Sequence, residues 1–115
     1  MSKKYKMAVG NVIRVPVEGA CNNEDGQKTK FKFSLRCTRL SATDLAAALA
    51  SRDDLAKDFL ISVTTDWKDQ RLVLEEDGSP AEFCTEAFEA LLDIAGMPLV
   101  CLNAYVKEVG ATAKN

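Results

Sequence analysis

Apolar side chains alternate along two stretches near the start of the chain. In MAVGNVIRVPV (7–17), Met7, Val9, Ile13, Val15 and Val17 hold odd positions; in TKFKFSLRCTR (29–39), so do Phe31, Phe33, Leu35 and Cys37. A period of two sends successive side chains to opposite faces, so each stretch predicts a strand with one buried face. The other face of the second strand carries Lys30, Lys32, Ser34, Arg36 and Thr38. Pro16 cannot donate to a ladder, which predicts an edge position or a bulge for the first strand. The connection EGACNNEDGQ is rich in turn formers and predicts a mobile hairpin loop.

The period then lengthens. Ser41-Ala-Thr-Asp44 has the form of a helix start: Ser41 can cap free amides, and Asp44 suits the positive end of the helix dipole. Four alanines between 46 and 50 favour helix. A second start signal, Ser51-Arg-Asp-Asp54, predicts a helix over 42–50 and another over 52–65, with Leu55, Phe59 and Val63 as a stripe and Ala56 and Leu60 beside it; a single kinked helix is the alternative. Trp67 follows. Arg71-Leu-Val-Leu74 reads as a short strand and EEDGSP (75–80) as a turn in which Gly78 supplies a positive φ. Phe83 stands ahead of a helix over 85–95, placed to pack on Phe88 as a hydrophobic staple. That helix is expected to bury Phe88, Leu91, Leu92 and Ala95 and to end at Gly96. Pro98 suits the first turn of a last helix over 98–109, with a stripe of Leu99, Leu102, Val106 and Val109 and Tyr105 alongside. The tail 111–115 is polar.

The predicted architecture is α+β: an N-terminal antiparallel hairpin or small sheet packed against about four helices. One domain is expected over 1–115, with a hairpin region (1–40), helices (41–66), a short strand and turn (67–80), two C-terminal helices (81–110) and the tail. The composition, 47% apolar and 28% charged, is that of a foldable soluble chain. No apolar run reaches the roughly 18–20 residues that span a membrane. The basic start MSKKYKMAVG has no apolar signal-peptide core behind it, so the expected location is the cytoplasm.

Candidate chemistry is sparse. The chain has no histidine, so the usual general base and a Cys–His pair are missing. Cys21, Cys37, Cys84 and Cys101 form no CxxC pair and read as small, mostly buried hydrophobes rather than as a zinc site. A calcium loop centred on Gly26 would put Cys21 first and Lys32 twelfth, where carboxylates are required. No GxxxxGK[ST] or GxGxxG run is present. Glu75, Glu76 and Asp77 read as solvated turn acids. No catalytic residue, metal or cofactor is expected.

Charge is more informative. Residues 1–40 hold nine Lys/Arg against three Asp/Glu, a balance of +6; residues 41–115 hold six against fourteen, a balance of −8. Lys30, Lys32, Arg36 and Arg39 form a candidate partner-binding surface. Phosphate contacts would make such a surface bind nucleic acid, but a pI near 5.2 and aromatics on the opposite face argue against it. Trp67, Phe83, Phe88 and Tyr105 are either a binding hot spot or the core joining strand to C-terminal helices, and the core reading is preferred.

An ordered set of features carries a family resemblance. After an apolar hairpin and helices come Trp67, the Asp-Gly turn with Pro80 (EDGSPAEF), a helix EAFEALLDIAG, and a last helix with Ala104-Tyr105 ahead of a tail ending Ala-Lys-Asn. This resembles the tail assembly chaperones of long-tailed bacteriophages, in which a tryptophan precedes "DEDGEPVPFS"-like text and then a helix of the "LLDIPG" kind. The resemblance covers about residues 40–115 well and the hairpin loosely. Two departures stand out: Cys84 occupies the position of a usual serine cap, and the usual proline before the last helix stands at Pro98, after a Met.

The resemblance implies a non-enzymatic protein that coats the phage tape measure protein, keeps it soluble and helps recruit tail tube subunits. It implies action in the host bacterial cytoplasm and absence from the mature virion. A basic sheet on one subunit meeting an acidic helical face on the next would give a homo-oligomer held by salt-sensitive contacts. The resemblance also implies a longer form made by −1 ribosomal frameshifting; codons GCA AAA AAY for Ala113-Lys114-Asn115 would contain a slippery heptamer. The alternatives are a structural tail protein (tube or terminator-like) and a small nucleic-acid-binding regulator.

Overall fold

The computed structural model describes residues 10–50 and 56–110. Met7 and Val9, the start signal 51–54 with Leu55, and the tail 111–115 with its Ala-Lys-Asn lie outside these. The fold is α+β. A three-stranded antiparallel sheet in the order β1-β2-β3 is formed by β1 (Val12–Asn22), β2 (Lys28–Thr38) and β3 (Thr64–Lys68). Four helices accompany it: α1 (Ala42–Ala50), α2 (Ala56–Val63), α3 (Thr85–Leu92) and α4 (Met97–Val109).

Alternation sets the sheet as expected. Val15, Val17, Phe33, Leu35 and Cys37 are buried on one face. The register pairs Val15 with Leu35 and Val17 with Phe33. The Arg39 amide donates to the Asn11 carbonyl at 2.7 Å. Hydrogen-bonded and non-bonded pairs alternate in an antiparallel ladder. Odd-numbered β1 residues therefore bond to β2, and Pro16 turns its missing donor to the open edge. The hairpin is longer than its composition suggests. Strand pairing runs on through Asn22 and Lys28, so the connection shrinks to 23–27. Asn23 closes it: its Oδ1 accepts from the Asp25 and Gln27 amides, both at 2.9 Å. On the paired strands Phe31 stands opposite Gly19, where a Cβ would come within 2.7 Å of the ring.

Between α2 and α3 the structure corrects the expected boundaries. The helix anticipated to residue 65 stops at Val63, and Thr64–Lys68 becomes the third strand, pairing Leu35 with Trp67. Thr64 and Thr65 are β-branched and suit a strand. Trp67 gains the inner face of the sheet. A register shift falls between Arg36 and Cys37. The strand expected at 71–74 does not form; only an isolated bridge joins Leu74 to Pro80. Gln70 replaces it as the organiser of this loop. Its side chain is 2% exposed; Nε2 donates to the Val73 and Ala81 carbonyls, and Oε1 accepts from the Leu72 and Val73 amides. Gly78 takes φ +88 in the turn, as its position requires.

Helix α3 ends three residues before the expected 95, leaving Ala95 exposed in the turn to Gly96 (φ +86). In α4 the buried stripe is Met97, Cys101, Tyr105 and Val109, an i, i+4 row, and Leu99 is 60% exposed. Of the expected stripe, Val109 is buried, Leu102 and Val106 are half-buried and Leu99 is not covered; Tyr105, expected alongside it in the core, is the fully buried centre. Helix α4 packs on β1, and α2 lies against α3, α4 and β3. Helix α1 buries none of its residues.

Candidate partner-binding face

The helices α2, α3 and α4 serve the inner face of the sheet and leave the outer face open. Even-numbered residues of β1 and β2 point outward and are exposed, apart from Ser34. Lys30, Lys32 and Arg36 lie together there. Register adds neighbours that reading the second strand alone did not reveal. Arg14 stands opposite Arg36, Glu18 opposite Lys32, Lys68 opposite Ser34, and Asp66 opposite Arg36. Arg14 is legible from the alternation of the first strand; Lys68 is not, because the sequence places the strand of its stretch at 71–74 and the pairing of 64–68 with β2 is long-range.

Arg39 does not join this face. It occupies an odd position, half-buried, and its Nη1 donates to the Val109 carbonyl at 3.1 Å at the C-terminal end of α4. A cation there meets the negative end of the helix dipole. Its Nε is buried and has no hydrogen-bond partner among the described residues. Arg39 is thus a structural residue that ties β2 to α4.

Tyr105 works at the same junction. Its hydroxyl donates to the Thr38 carbonyl at 2.8 Å and accepts from the Leu40 amide at 3.2 Å, while its ring meets Phe59 edge-on at 5.4 Å. Burial pushes its pKa up. Beneath the sheet, Trp67 meets Phe83 at 5.4 Å and Phe88 at 6.3 Å, both edge-to-face. The expected Phe83–Phe88 staple closes at 5.5 Å. The Trp67 indole N–H donates to the Ala81 carbonyl at 3.1 Å. Cys84 caps α3, its Sγ accepting from the Ala87 amide at 3.4 Å. These aromatics are core and staple, and the loop they clamp ends at the acidic turn.

Of the four free cysteines, Cys37 and Cys101 are buried, Cys21 is half-buried and Cys84 is exposed. Burial, with the nearby Cys37, pushes the Cys101 thiol up to about 12. Burial also raises Cys37, partly offset by its contact with Thr64. Neither thiol is activated for nucleophilic chemistry. Among the described residues no three His, Cys, Asp or Glu side chains group to hold a metal ion, and no single helix is long and apolar enough to cross a membrane.

No protein-family model matches the chain, and no curated protein or solved structure does.

Proposed function

We propose that the chain is a bacteriophage tail assembly chaperone: a non-enzymatic protein that binds the phage tape measure protein in the host cytoplasm and aids recruitment of tail tube subunits. One observation supports this reading above the others. A sheet with all its strongly packed helices on one side leaves the opposite side open, exposed and rich in cations. Such a face suits a protein partner better than a small substrate, which favours a concave, mostly apolar pocket. The resemblance, which covers about residues 40–115 and includes the segment 67–96, supplies the identity of the partner. That segment is one clamped unit, in which Trp67, Gln70 and Ala81 join strand, loop and stapled helix.

The test is a dilution experiment. Denatured tape measure protein is diluted into buffer with and without the chain, and light scattering is followed. Suppressed scattering at near-stoichiometric chain is the expected result; unchanged aggregation would count against the proposal.

A further inference from the structure

Arg14 and Arg36 face each other across β1 and β2 on the exposed side of the sheet. The bonded Asn11/Arg39 pair fixes the phase of the ladder, so Arg14/Arg36 is a non-hydrogen-bonded pair, where side chains approach most closely. Like charges in that position oppose folding. The third strand places Lys68 next to Ser34 and Asp66 next to Arg36. Asp66 offsets part of this charge, but three cations (Arg14, Arg36 and Lys68) against that one carboxylate leave the depression with a balance of +2. Ser34 is 6% exposed and accepts from Arg14 Nε at 2.9 Å, which anchors the guanidinium to the floor of the sheet. These residues line a shallow depression of about 330 Å³, and Val12, 49% exposed, stands at its margin.

We propose that this depression docks an acidic segment of a partner protein that carries an apolar residue beside its carboxylate. The carboxylate sits among Arg14, Arg36 and Lys68 and relieves the repulsion that the fold leaves in place. Guanidinium forks match a carboxylate with paired N–H donors. Val12 receives the neighbouring aliphatic side chain. A nucleic-acid strand fits less well, because Val12 at the margin offers an aliphatic side chain and no aromatic surface for a base. The inference rests on the chaperone reading for the identity of the partner, and on the depression itself for its chemistry.

The test uses the full chain labelled with ¹⁵N and a synthetic peptide alternating Glu and Leu, with an oligothymidine of equal charge as comparator. Peptide addition is expected to shift the amides of Val12–Arg14, Ser34–Arg36 and Asp66–Lys68, with affinity falling as salt rises. Arg14→Glu removes both the repulsion and part of the site. It should unfold at a higher urea concentration than the parent, yet bind the peptide about tenfold more weakly. Lys68→Glu lies outside the repulsive pair and should weaken binding similarly. Peptide affinity unchanged in both variants, shifts centred elsewhere, or preference for the oligonucleotide would each overturn the site. Capture of the tape measure protein is measured in parallel. Equal capture by the parent and Arg14→Glu overturns the site and leaves the chaperone reading intact. Failure of the parent to capture it, with peptide binding through these residues, supports the site and removes the chaperone reading.

Discussion

Arg39 Nη1 donates to the Val109 carbonyl, joining residues seventy positions apart in the chain. The contact separates fold from binding among cations that look alike in sequence. Arg39→Ala is expected to cost about 1–2 kcal/mol, the scale of a charged hydrogen bond at a helix C-terminus. Lys32→Ala, on the open face, should change stability by less than about 0.5 kcal/mol. Urea titration of the two variants measures the difference, and equal effects would contradict the assignment.

Gln70 predicts a second outcome. Its side chain satisfies two amides and two carbonyls in the loop before Ala81. Gln70→Leu keeps the volume but strands the Leu72 and Val73 amides, at a cost of about 2–3 kcal/mol, while the two carbonyls keep the Ala81 amide and the Trp67 indole as donors. Near-ultraviolet dichroism of Trp67 should weaken as well, because Trp67 and Gln70 share the Ala81 carbonyl. A variant as stable as the parent would show that water replaces the side chain at no cost.

Cys84 offers a gain. Sulfur accepts weakly, and the Ala87 amide lies 3.4 Å from it. Cys84→Ser places a stronger acceptor at the cap of α3 and should stabilise by about 0.5–1 kcal/mol. The thermal midpoint reports it, and a fall would mean that the thiol packs more than it caps.

Alkaline pH should destabilise the protein. The folded state holds the Cys101 proton up to about 12 against an ordinary 9.0, and raises Cys37 and Tyr105 in the same direction. Above pH 9 the unfolded chain releases protons that the native state keeps, so stability is complete below that pH and declines towards about 12. Urea midpoints measured at rising pH should fall accordingly. In the native state a thiol reagent should modify Cys84 readily, Cys21 more slowly, and Cys37 and Cys101 only on unfolding.

Much of this architecture is legible in residue order. Alternation located both long strands and their buried faces, because a period of two leaves little choice once one face is apolar. The Phe83–Phe88 staple, the Gly78 turn and the cap at Cys84 follow from local chemistry, and each is present. What escaped is long-range. Thr64 and Thr65 read as the end of a helix until β2 offers them a partner, and Arg71–Leu74 reads as a strand until Gln70 occupies its hydrogen bonds. In α4 the choice between neighbouring stripes is settled by Tyr105, whose hydroxyl finds Thr38 and Leu40 only in the folded molecule. The candidate face was half visible: Lys30, Lys32 and Arg36 stand where alternation put them, Arg39 leaves for α4, and Arg14 and Lys68 arrive through register.

The central claim is association with the tape measure protein, and co-expression tests it most directly. The affinity-tagged chain is co-expressed with a phage tape measure protein, and the eluate is resolved by size exclusion. The account predicts a soluble complex that dissociates as salt is raised and is lost with Arg14→Glu. A tape measure protein left in the pellet, with the chain eluting alone, would contradict it.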